Sequence, residues 1–593
     1  MTFRVIAGLL GASAIVGVLG TAAAESQKAE WRQDAQLRAM SDELTRSRTL
    51  QLGSFEKPYF IQYSSEDLDQ MSVAASLDGL THISRFHLRQ PNATVRVGSY
   101  AFDNANSVYS RNMRFALLPV DDDYGVMRTS LWRMTDALYK GALEQLTGKR
   151  NALREISDPD KTADLASAKP LQMIEPVARP AIDGKAWERA VKDASARFIA
   201  HPAVMTSSVQ AQVIGGMYRM INSEGTILRV PESLGVVQIR ASSRTADGYR
   251  VWNHAYEATA DLRRLPRPDE IAKLAETVAT ETEALSRVPL AEDYSGPVLF
   301  EGEASAAMMA EVLTDSVILH RKPVAPPGAN GAALQILDSV WSSRIGAKVA
   351  PEWLSAFDDP LAKEYRGHEL GGHYTVDEEG VPAERVQLVD KGTFKGFLLS
   401  RVPVRKWSGS NGHGRLPGPF GSEQAVIGNL FIQATQALTE AQLKARLLEK
   451  VKAAGLKYGL IVRRIDFPST AALNDLQGLA RQAQNNGYAR TLNQPLLTYR
   501  VSLDGREELV RGLRFREFSA KDLRDVDAAS DQPYVLNYSN NGSSLNIADV
   551  SSDAVISSVI CPSLLFVGVD LARAENEGGA APVVPPPSLV AKQ

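Results

Sequence analysis

Hydrophobic positions in the first half of the chain change their spacing repeatedly, which predicts helices interspersed with strands. Trp31, Leu37, Met40 and Leu44 recur at roughly helical intervals and predict a helix over residues 30–48. The remaining predicted elements are strands at residues 59–63 and 94–100, helices near 125–147 and 187–198, strands within 211–262, and a helix beginning at Pro268.

The second half of the chain is predicted to be rich in strands and glycine-containing turns. A Gly-Pro-Val-Leu-Phe strand at residues 296–300 precedes a helix over about residues 303–319. A second helix has clear end signals, because Thr439 and Gln442 form a capping box and Gly455 follows its last turn. The further predicted strands cover residues 386–389, 396–399, 460–462, 496–501 and 509–515.

These patterns predict an α+β fold. We expect an N-terminal mixed α/β domain over residues 25–287 and a β-rich C-terminal domain over residues 288–575. Residues 157–185 are rich in Pro, Asp and Ala and are interpreted as a surface connection within the first domain. Residues 576–593, which include three consecutive prolines, are predicted to be a disordered tail.

Residues 1–24 have the layout of a secretory signal peptide. Arg4 precedes an uncharged run over residues 5–20, and Ala22 and Ala24 provide small residues for cleavage. An uncleaved membrane anchor is the alternative, although the run is short for a span and rich in Gly and Ala. Cleavage predicts a periplasmic or secreted protein with no membrane attachment.

The amino-acid composition argues against nucleic-acid binding and excludes disulfide-stabilised and cysteine-rich zinc domains. The chain of 593 residues has 66 Lys and Arg against 69 Asp and Glu, so there is no excess of basic charge to favour nucleic-acid binding. The single cysteine excludes an intrachain disulfide and a cysteine-based zinc ribbon. Because Cys561 follows Val559 and Ile560, it is interpreted as a core residue of an apolar strand.

The run His368-Glu369-Leu370-Gly371-Gly372-His373 contains the residue types of a zinc peptidase site. In the usual motif the histidines are four residues apart, about 40° around a helix, whereas five residues correspond to about 140°. The two glycines each disfavour a helix by about 1 kcal/mol relative to Ala. We therefore favour a turn with two surface histidines, with a metal site at His368 and His373 as the alternative.

Two polar segments are candidates for ligand binding. The run Asp377-Glu378-Glu379-Gly380 is interpreted as an acidic β-turn, and its carboxylates are also able to bind a cation. The second is a glycine-containing loop over residues 410–415 that carries Asn411, His413 and Arg415.

Several stretches, taken in order from about residue 95 to residue 570, resemble the TldD/PmbA family, also called the modulator-of-DNA-gyrase family. The most specific covers residues 374–385, with the run Asp-Glu-Glu-Gly-Val-Pro, and is followed by residues 391–398. The other stretches are residues 95–99, 222–226, 296–300, 357–360, 410–415 and 509–512.

The resemblance implies an N-terminal α+β domain, a β-rich C-terminal domain, dimers, and proteolysis of short or unfolded peptides. In the catalytic branch of the family, His-Glu-x-x-x-His on the helix after the Gly-Pro-Val-Leu-Phe strand binds zinc together with a C-terminal Cys. The other branch lacks these ligands and pairs with a catalytic chain.

This chain departs from the catalytic pattern at the helix itself. Glu311 matches the family glutamate, but Ala310 and Asp315 stand where the two histidines would be. Ala has no donor atom, so one zinc ligand is absent and the cofactor remains undetermined. Candidate roles are therefore catalysis for Glu311, metal binding for Asp315, His368 and His373, and substrate binding for Asp377, Glu378, Glu379, Asn411, His413 and Arg415.

Three functions remain open. The first is an exported family member that takes part in peptide processing as a metal-site-degenerate or partner-dependent subunit of a homodimer or heterodimer. The second is an active metallopeptidase with an unorthodox metal site. The third is a non-catalytic peptide-binding or scaffold protein of the cell envelope, since a fold alone does not fix an activity.

Overall fold

The computed structural model describes residues 31–111, 116–157, 159–329, 339–467, 492–540 and 554–574. The side chains of Asp315 and Pro419 also lie outside the described part, as do the predicted signal peptide at residues 1–24 and the predicted tail at residues 576–593. The α+β class predicted from the sequence is confirmed.

Residues before 290 form a seven-stranded sheet with the strand order β3-β2-β1-β5-β6-β4, and β7 also pairs with β6. The strands are β1 (Pro58–Ser76), β2 (Gly79–Ser99), β3 (Phe102–Asp103), β4 (Gln172–Ile174), β5 (Thr206–Asn222), β6 (Ile227–Arg244) and β7 (Arg250–Thr259). The helices are α1 (Ala35–Ser47), α2 (Tyr124–Arg154), α3 (Gly184–Ser195) and α4 (Pro268–Leu285).

All four helices pack on one face of this sheet. Ile61 and Tyr63 of β1 lie in the core formed with α1 and α2, and Met71 and Val73 of the same strand lie in the core formed with α3 and α4. These positions are all odd-numbered, and alternate residues of a strand share a face. Leu68 lies on the opposite face and packs with Ile556 of the C-terminal half. The sheet therefore lies between its own helices and the rest of the molecule.

The C-terminal half contains an eleven-stranded sheet with the order β13-β12-β9-β16-β22-β8-β17-β18-β19, to which β20 and β21 are added on β22. Its strands are β8 (Tyr294–Phe300), β9 (Leu354–Asp358), β12 (Val386–Asp390), β13 (Thr393–Phe394), β16 (Asn429–Ala434), β17 (Tyr458–Ile465), β18 (Pro495–Ser502), β19 (Glu507–Val510), β20 (Leu513–Phe515), β21 (Val526–Asn540) and β22 (Val555–Arg573). Two small hairpins add β10 (Glu364–Tyr365) with β11 (His368–Glu369), and β14 (Gly414–Pro417) with β15 (Glu423–Ala425).

Two helices cover opposite faces of this sheet. The helix α5 (Glu303–Val317) shares a core with Val298 and Phe300 of β8, whereas α6 (Glu440–Ala453) packs with Leu299 of the same strand. The sequence prediction for α6 is confirmed, because Thr439 and Gln442 form the capping box. Short 3-10 turns occur at Trp31–Gln33, Ala196–Ala200, Leu262–Arg264, Pro419–Gly421 and Asp522–Asp525.

Candidate functional site

The acidic run forms the predicted β-turn, but Asp377 is buried rather than exposed. The turn is closed by a hydrogen bond from Gly380 N to Asp377 O of 3.1 Å. Asp377 is 1% exposed, and its carboxylate accepts hydrogen bonds from the backbone N–H groups of Glu379, Val381 and Gly414 at 2.8–3.0 Å. These bonds hold the turn closed and attach it to the following loop.

Glu379 ties the same turn to the N-terminal half through Arg401. The Oε2 atom of Glu379 accepts a hydrogen bond of 2.6 Å from Arg401 N. The buried Arg401 guanidinium donates to Glu224 Oε1 at 2.7 Å and to Ala166 O at 2.7–2.9 Å. Burial raises the pKa of Asp377, and the negative charge of Glu379 raises it further.

The loop over residues 410–415 packs directly against this turn. Asn411 accepts from Leu399 N at 2.8 Å and donates to Phe397 O at 2.9 Å. His413 is fully buried, and its Nε2 atom lies 3.1 Å from Oδ1 of Asp358. The same carboxylate accepts from Gly428 N. These side chains are thus held in place by internal contacts.

Glu378 and Arg415 are half-buried charged residues, and the carboxylates of Glu66, Glu232 and Glu423 also lie near Glu378. The backbone O of Glu378 accepts from Gln62 Nε2 and from Tyr218 OH, both at 3.4 Å, so this residue lies against the N-terminal sheet. Burial raises the pKa of Glu378 well above its usual value, an effect that the positive charge of Arg415 opposes. The Arg415 guanidinium lies 4.2 Å from the centre of the Tyr374 ring.

The structure therefore brings the six predicted substrate-binding residues together where the two halves of the chain meet. Asp358 joins them through His413. We call this set the junction cluster, and its members are Asp358, Asp377, Glu378, Glu379, Asn411, His413 and Arg415.

The predicted turn is confirmed at residues 370–373, where His373 N donates to Leu370 O at 3.2 Å, and neither histidine is on a helix. His373 is half-buried rather than at the surface. His368 pairs with Tyr365 in the two-residue strands β10 and β11, and His373 Nδ1 lies 2.9 Å from Pro360 O. Burial lowers the pKa of His373. Glu369 accepts hydrogen bonds from the Thr259 hydroxyl and from Asp261 N, so it holds this turn against the N-terminal half.

The candidate catalytic residue Glu311 lies on α5, where its Oε2 atom accepts a hydrogen bond of 3.2 Å from Asn493 N. Ala310 precedes it and is 1% exposed within the apolar core of the C-terminal half. The side chain of Asp315 lies outside the described residues. Within the described ranges, no three His, Cys, Asp or Glu side chains are close enough to one another to hold a metal ion.

Arg401 is important for this geometry and carried no local signal in the sequence. Arg401 follows the apolar run at residues 397–399, and nothing around it indicates that it pairs with Glu224, which is 177 residues away along the chain.

Comparison with known proteins supplies the context for this geometry. Residues 294–474 match the family model of the PmbA/TldA metallopeptidase C-terminal domain. A curated relative from Archaeoglobus fulgidus, named "Metalloprotease", is 36% identical over 80 residues. That match spans 14% of this chain and only 17% of the length of the relative.

Solved structures extend the likeness over nearly the whole chain. TldE from Thermococcus kodakarensis matches with a TM-score of 0.54 and 13% identity, covering 90% of this chain and 100% of that one. Residues 294–474 are therefore similar to the C-terminal domain of the TldD/PmbA family, and the fold as a whole is similar to that of TldE. A Thermotoga maritima protein described as a putative modulator of a DNA gyrase also matches, with a TM-score of 0.54 and 14% identity, covering 86% of this chain and 96% of that one. At these identities the structural likeness concerns the fold.

The donor set of this chain does not fit a zinc ion bound in the way that the family resemblance implies. Ala310 offers no donor atom. Cys561 is buried on β22 near the start of α5, with its Sγ atom 3.4 Å from Ser305 Oγ and 3.3 Å from Pro562 O. Burial raises the pKa of the Cys561 thiol to about 12. The imidazole that would accompany this thiol at position 310 is absent.

We expect the Cys561 thiol to be inert in the native protein. Its burial and raised pKa leave little thiolate at neutral pH, and modification requires both access and thiolate. A colorimetric thiol titration at pH 8 should detect no fast-reacting thiol in native protein and one thiol per chain in denaturant. A full equivalent that reacts within seconds in native protein would contradict the assignment of Cys561 to the core.

Proposed function

We propose that this chain binds short or unfolded peptides and takes part in their proteolytic processing without cutting them alone. It would act as a metal-site-degenerate or partner-dependent subunit. The observation that carries the proposal is Ala310, since an apolar side chain packed in the core stands where the family resemblance places a zinc ligand. The preserved family fold supports a retained role in peptide handling.

The junction cluster is the proposed place of peptide binding. The carboxylates of Asp377 and Glu379 are occupied by backbone N–H groups, which leaves Glu378 and Arg415 as its half-buried charged residues. A carboxylate and a guanidinium are suited to the amino and carboxyl groups of a short peptide. Tyr374 and Tyr218, which contact these two residues, offer aromatic surface for apolar peptide side chains.

The proposal includes export and a family partner. Residues 1–24 are the proposed cleaved signal peptide, so the mature chain would begin near Glu25 in the periplasm or outside the cell. Within the described ranges, none of the helices has both the length and the apolar character needed to span a bilayer. A second copy of this chain, or another TldD/PmbA chain with intact zinc ligands, is the proposed partner.

We expect purified mature protein to bind an unstructured, dye-labelled peptide without cleaving it. Arg415→Ala should weaken binding at least about tenfold, because a charge-assisted hydrogen bond contributes about 1.5–3 kcal/mol. Fluorescence anisotropy measures binding, and mass spectrometry of the same samples after prolonged incubation detects cleavage. Arg500→Ala is the matched control, because Arg500 also lies over a tyrosine ring, that of Tyr458, but on β18.

The outcomes separate the three functions. Cleavage by the lone chain that is abolished by a chelator and by Glu311→Gln would overturn the proposal in favour of a metallopeptidase, the activity named for the Archaeoglobus relative. If the protein neither binds nor cleaves the peptide, by itself or together with a zinc-bearing chain of the family, the proposal is overturned in favour of a scaffold role. Binding without cleavage by the lone chain is the result that supports the proposal.

A further inference from the structure

Two glutamates of the N-terminal sheet face the C-terminal half beside Glu378. Glu66 of β1 lies on the same face as Leu68, which packs with the C-terminal half, because alternate residues of a strand share a face. Glu232 of β6 and Leu68 pair with Gly216 of β5 from its two sides, so the Glu232 side chain also points to this face. The carboxylates of both glutamates lie near that of Glu378.

Glu232 has no partner for its carboxylate within the described part of the chain. Its Oε2 atom is buried without a hydrogen-bond donor, and no ion pair of the described residues includes it. Burial raises the pKa of Glu232, an effect that the positive charge of Arg415 opposes. Buried polar groups are nearly always hydrogen-bonded, so the missing donor at this carboxylate indicates a place for an external group.

A second buried group on the same face also lacks a partner among the described residues. Asn222 of β5 is 1% exposed and lies opposite Gln62 of β1, whose side chain donates to Glu378 O. Opposite residues of an antiparallel pair share a face, so Asn222 also points towards the C-terminal half. Its Nδ2 atom has no acceptor. This face therefore presents a buried donor as well as a buried acceptor, and a peptide is able to satisfy both.

The charge on this face is predominantly negative. Glu423 of β15 is a further carboxylate near Glu378, and we call Glu66, Glu232, Glu378 and Glu423 the acidic set. Arg415 is the cation whose charge acts on both Glu232 and Glu378. Within the described ranges, no three carboxylates are close enough to one another to hold a metal ion. The spacing instead suits a larger cation that donates several hydrogen bonds, and a primary ammonium group donates three.

We propose that the acidic set selects peptides that carry a primary ammonium group, and that Glu232 accepts a hydrogen bond from it. The ammonium is either the amino terminus of the peptide or a Lys side chain. The inference rests on the proposed function, since it names the class of peptide that the same site takes. It assigns the positive end of the ligand to the acidic set and leaves Arg415 for a carboxylate.

Three peptides of one uncharged sequence test this preference, each with a free carboxyl terminus and a dye on a central Cys side chain. The first has a free amino terminus, the second is acetylated, and the third is acetylated but contains one Lys. Fluorescence anisotropy with the mature full-length chain should show at least about tenfold tighter binding of the first or the third peptide than of the second, because acetylation removes a charge-assisted hydrogen bond. Comparison of the first with the third identifies the source of the ammonium.

Glu232→Gln keeps the shape of the side chain and removes its charge. It should weaken binding of the ammonium-bearing peptide about tenfold and leave binding of the acetylated peptide unchanged. Glu257→Gln is the matched control, because Glu257 is also a strand residue of this sheet but pairs with Val237, which lies in the core on the helix side. It should bind all three peptides like the wild-type chain. Glu378→Gln repeats the test if circular dichroism shows that Glu232→Gln does not fold.

The remaining outcomes count against the inference. Equal binding of all three peptides by the wild-type chain would overturn it and leave the proposed function standing. An equal loss for all three peptides in Glu232→Gln would also overturn it, because Glu232 would then support the structure rather than recognise charge. A wild-type chain that binds none of the peptides would overturn the proposed function itself, and this inference with it.

Discussion

Replacing Asp358 by Ala is expected to destabilise the protein by about 2–6 kcal/mol. Asp358 is fully buried, and its carboxylate accepts from Gly428 N and lies 3.1 Å from the buried His413 ring. Removing it leaves a backbone N–H and an imidazole without their partner, and each unsatisfied buried group costs about 1–3 kcal/mol. The lost contacts lie where β9, β16 and the loop that carries Asn411 meet.

Urea unfolding followed by tryptophan fluorescence measures this loss. Asp359→Ala is the adjacent control, because its carboxylate accepts a single exposed hydrogen bond from Leu361 N, and it should cost less than about 1 kcal/mol. Asp358→Asn keeps one acceptor oxygen and should fall between the two. If Asp358→Ala unfolds at the same urea concentration as Asp359→Ala, the junction cluster does not depend on this carboxylate.

Elements governed by local chemistry were predictable from the sequence. The α6 capping box at Thr439 and Gln442 is formed, and the acidic run at Asp377 is the predicted turn. In both cases the residues that determine the conformation lie within a few positions of one another. The turn and loop residues of the junction cluster were identifiable for the same reason.

The extent of β1 and β2 was not predictable, and the short strands expected at residues 59–63 and 94–100 are wrong in length. In the structure, β1 continues to Ser76 and β2 already begins at Gly79. Asp67 shows why the pattern was misleading, because it is a buried polar residue in mid-strand that pairs with Arg219 and with His87. Such residues break the hydrophobic alternation, and their partners are set only by strand register.

Burial of charge explains two further differences. The connection at residues 157–185 was interpreted as surface, yet Asp164 is buried and forms an ion pair of 2.6 Å with Lys149. The role of Asp377 also depends on contacts invisible in the sequence, since the Gly414 N–H that it accepts belongs to a different loop. The sequence suggested the Asp377 carboxylate as a ligand for a cation or substrate, but in the structure it accepts hydrogen bonds from backbone N–H groups of the protein itself.

Restoring the family residue at position 310 is expected to harm the protein rather than rebuild a zinc site. Ala310→His places an imidazole into a filled apolar core, where overpacking costs about 1–3 kcal/mol and an unsatisfied buried polar group a further 1–3 kcal/mol. We therefore expect a loss of about 2–6 kcal/mol in urea unfolding. Ala310→Leu adds bulk without a polar atom, so its smaller loss isolates the packing contribution.

Metal analysis of the same variants connects this stability loss to function. Ala310→His purified with added zinc should carry far less than one equivalent, because position 315 still carries Asp in place of the second histidine and a single imidazole is a weak zinc site. One equivalent of zinc together with undiminished stability would contradict the packing of α5. It would mean that the helix retains room for a metal centre even with Asp315 in place of the second histidine.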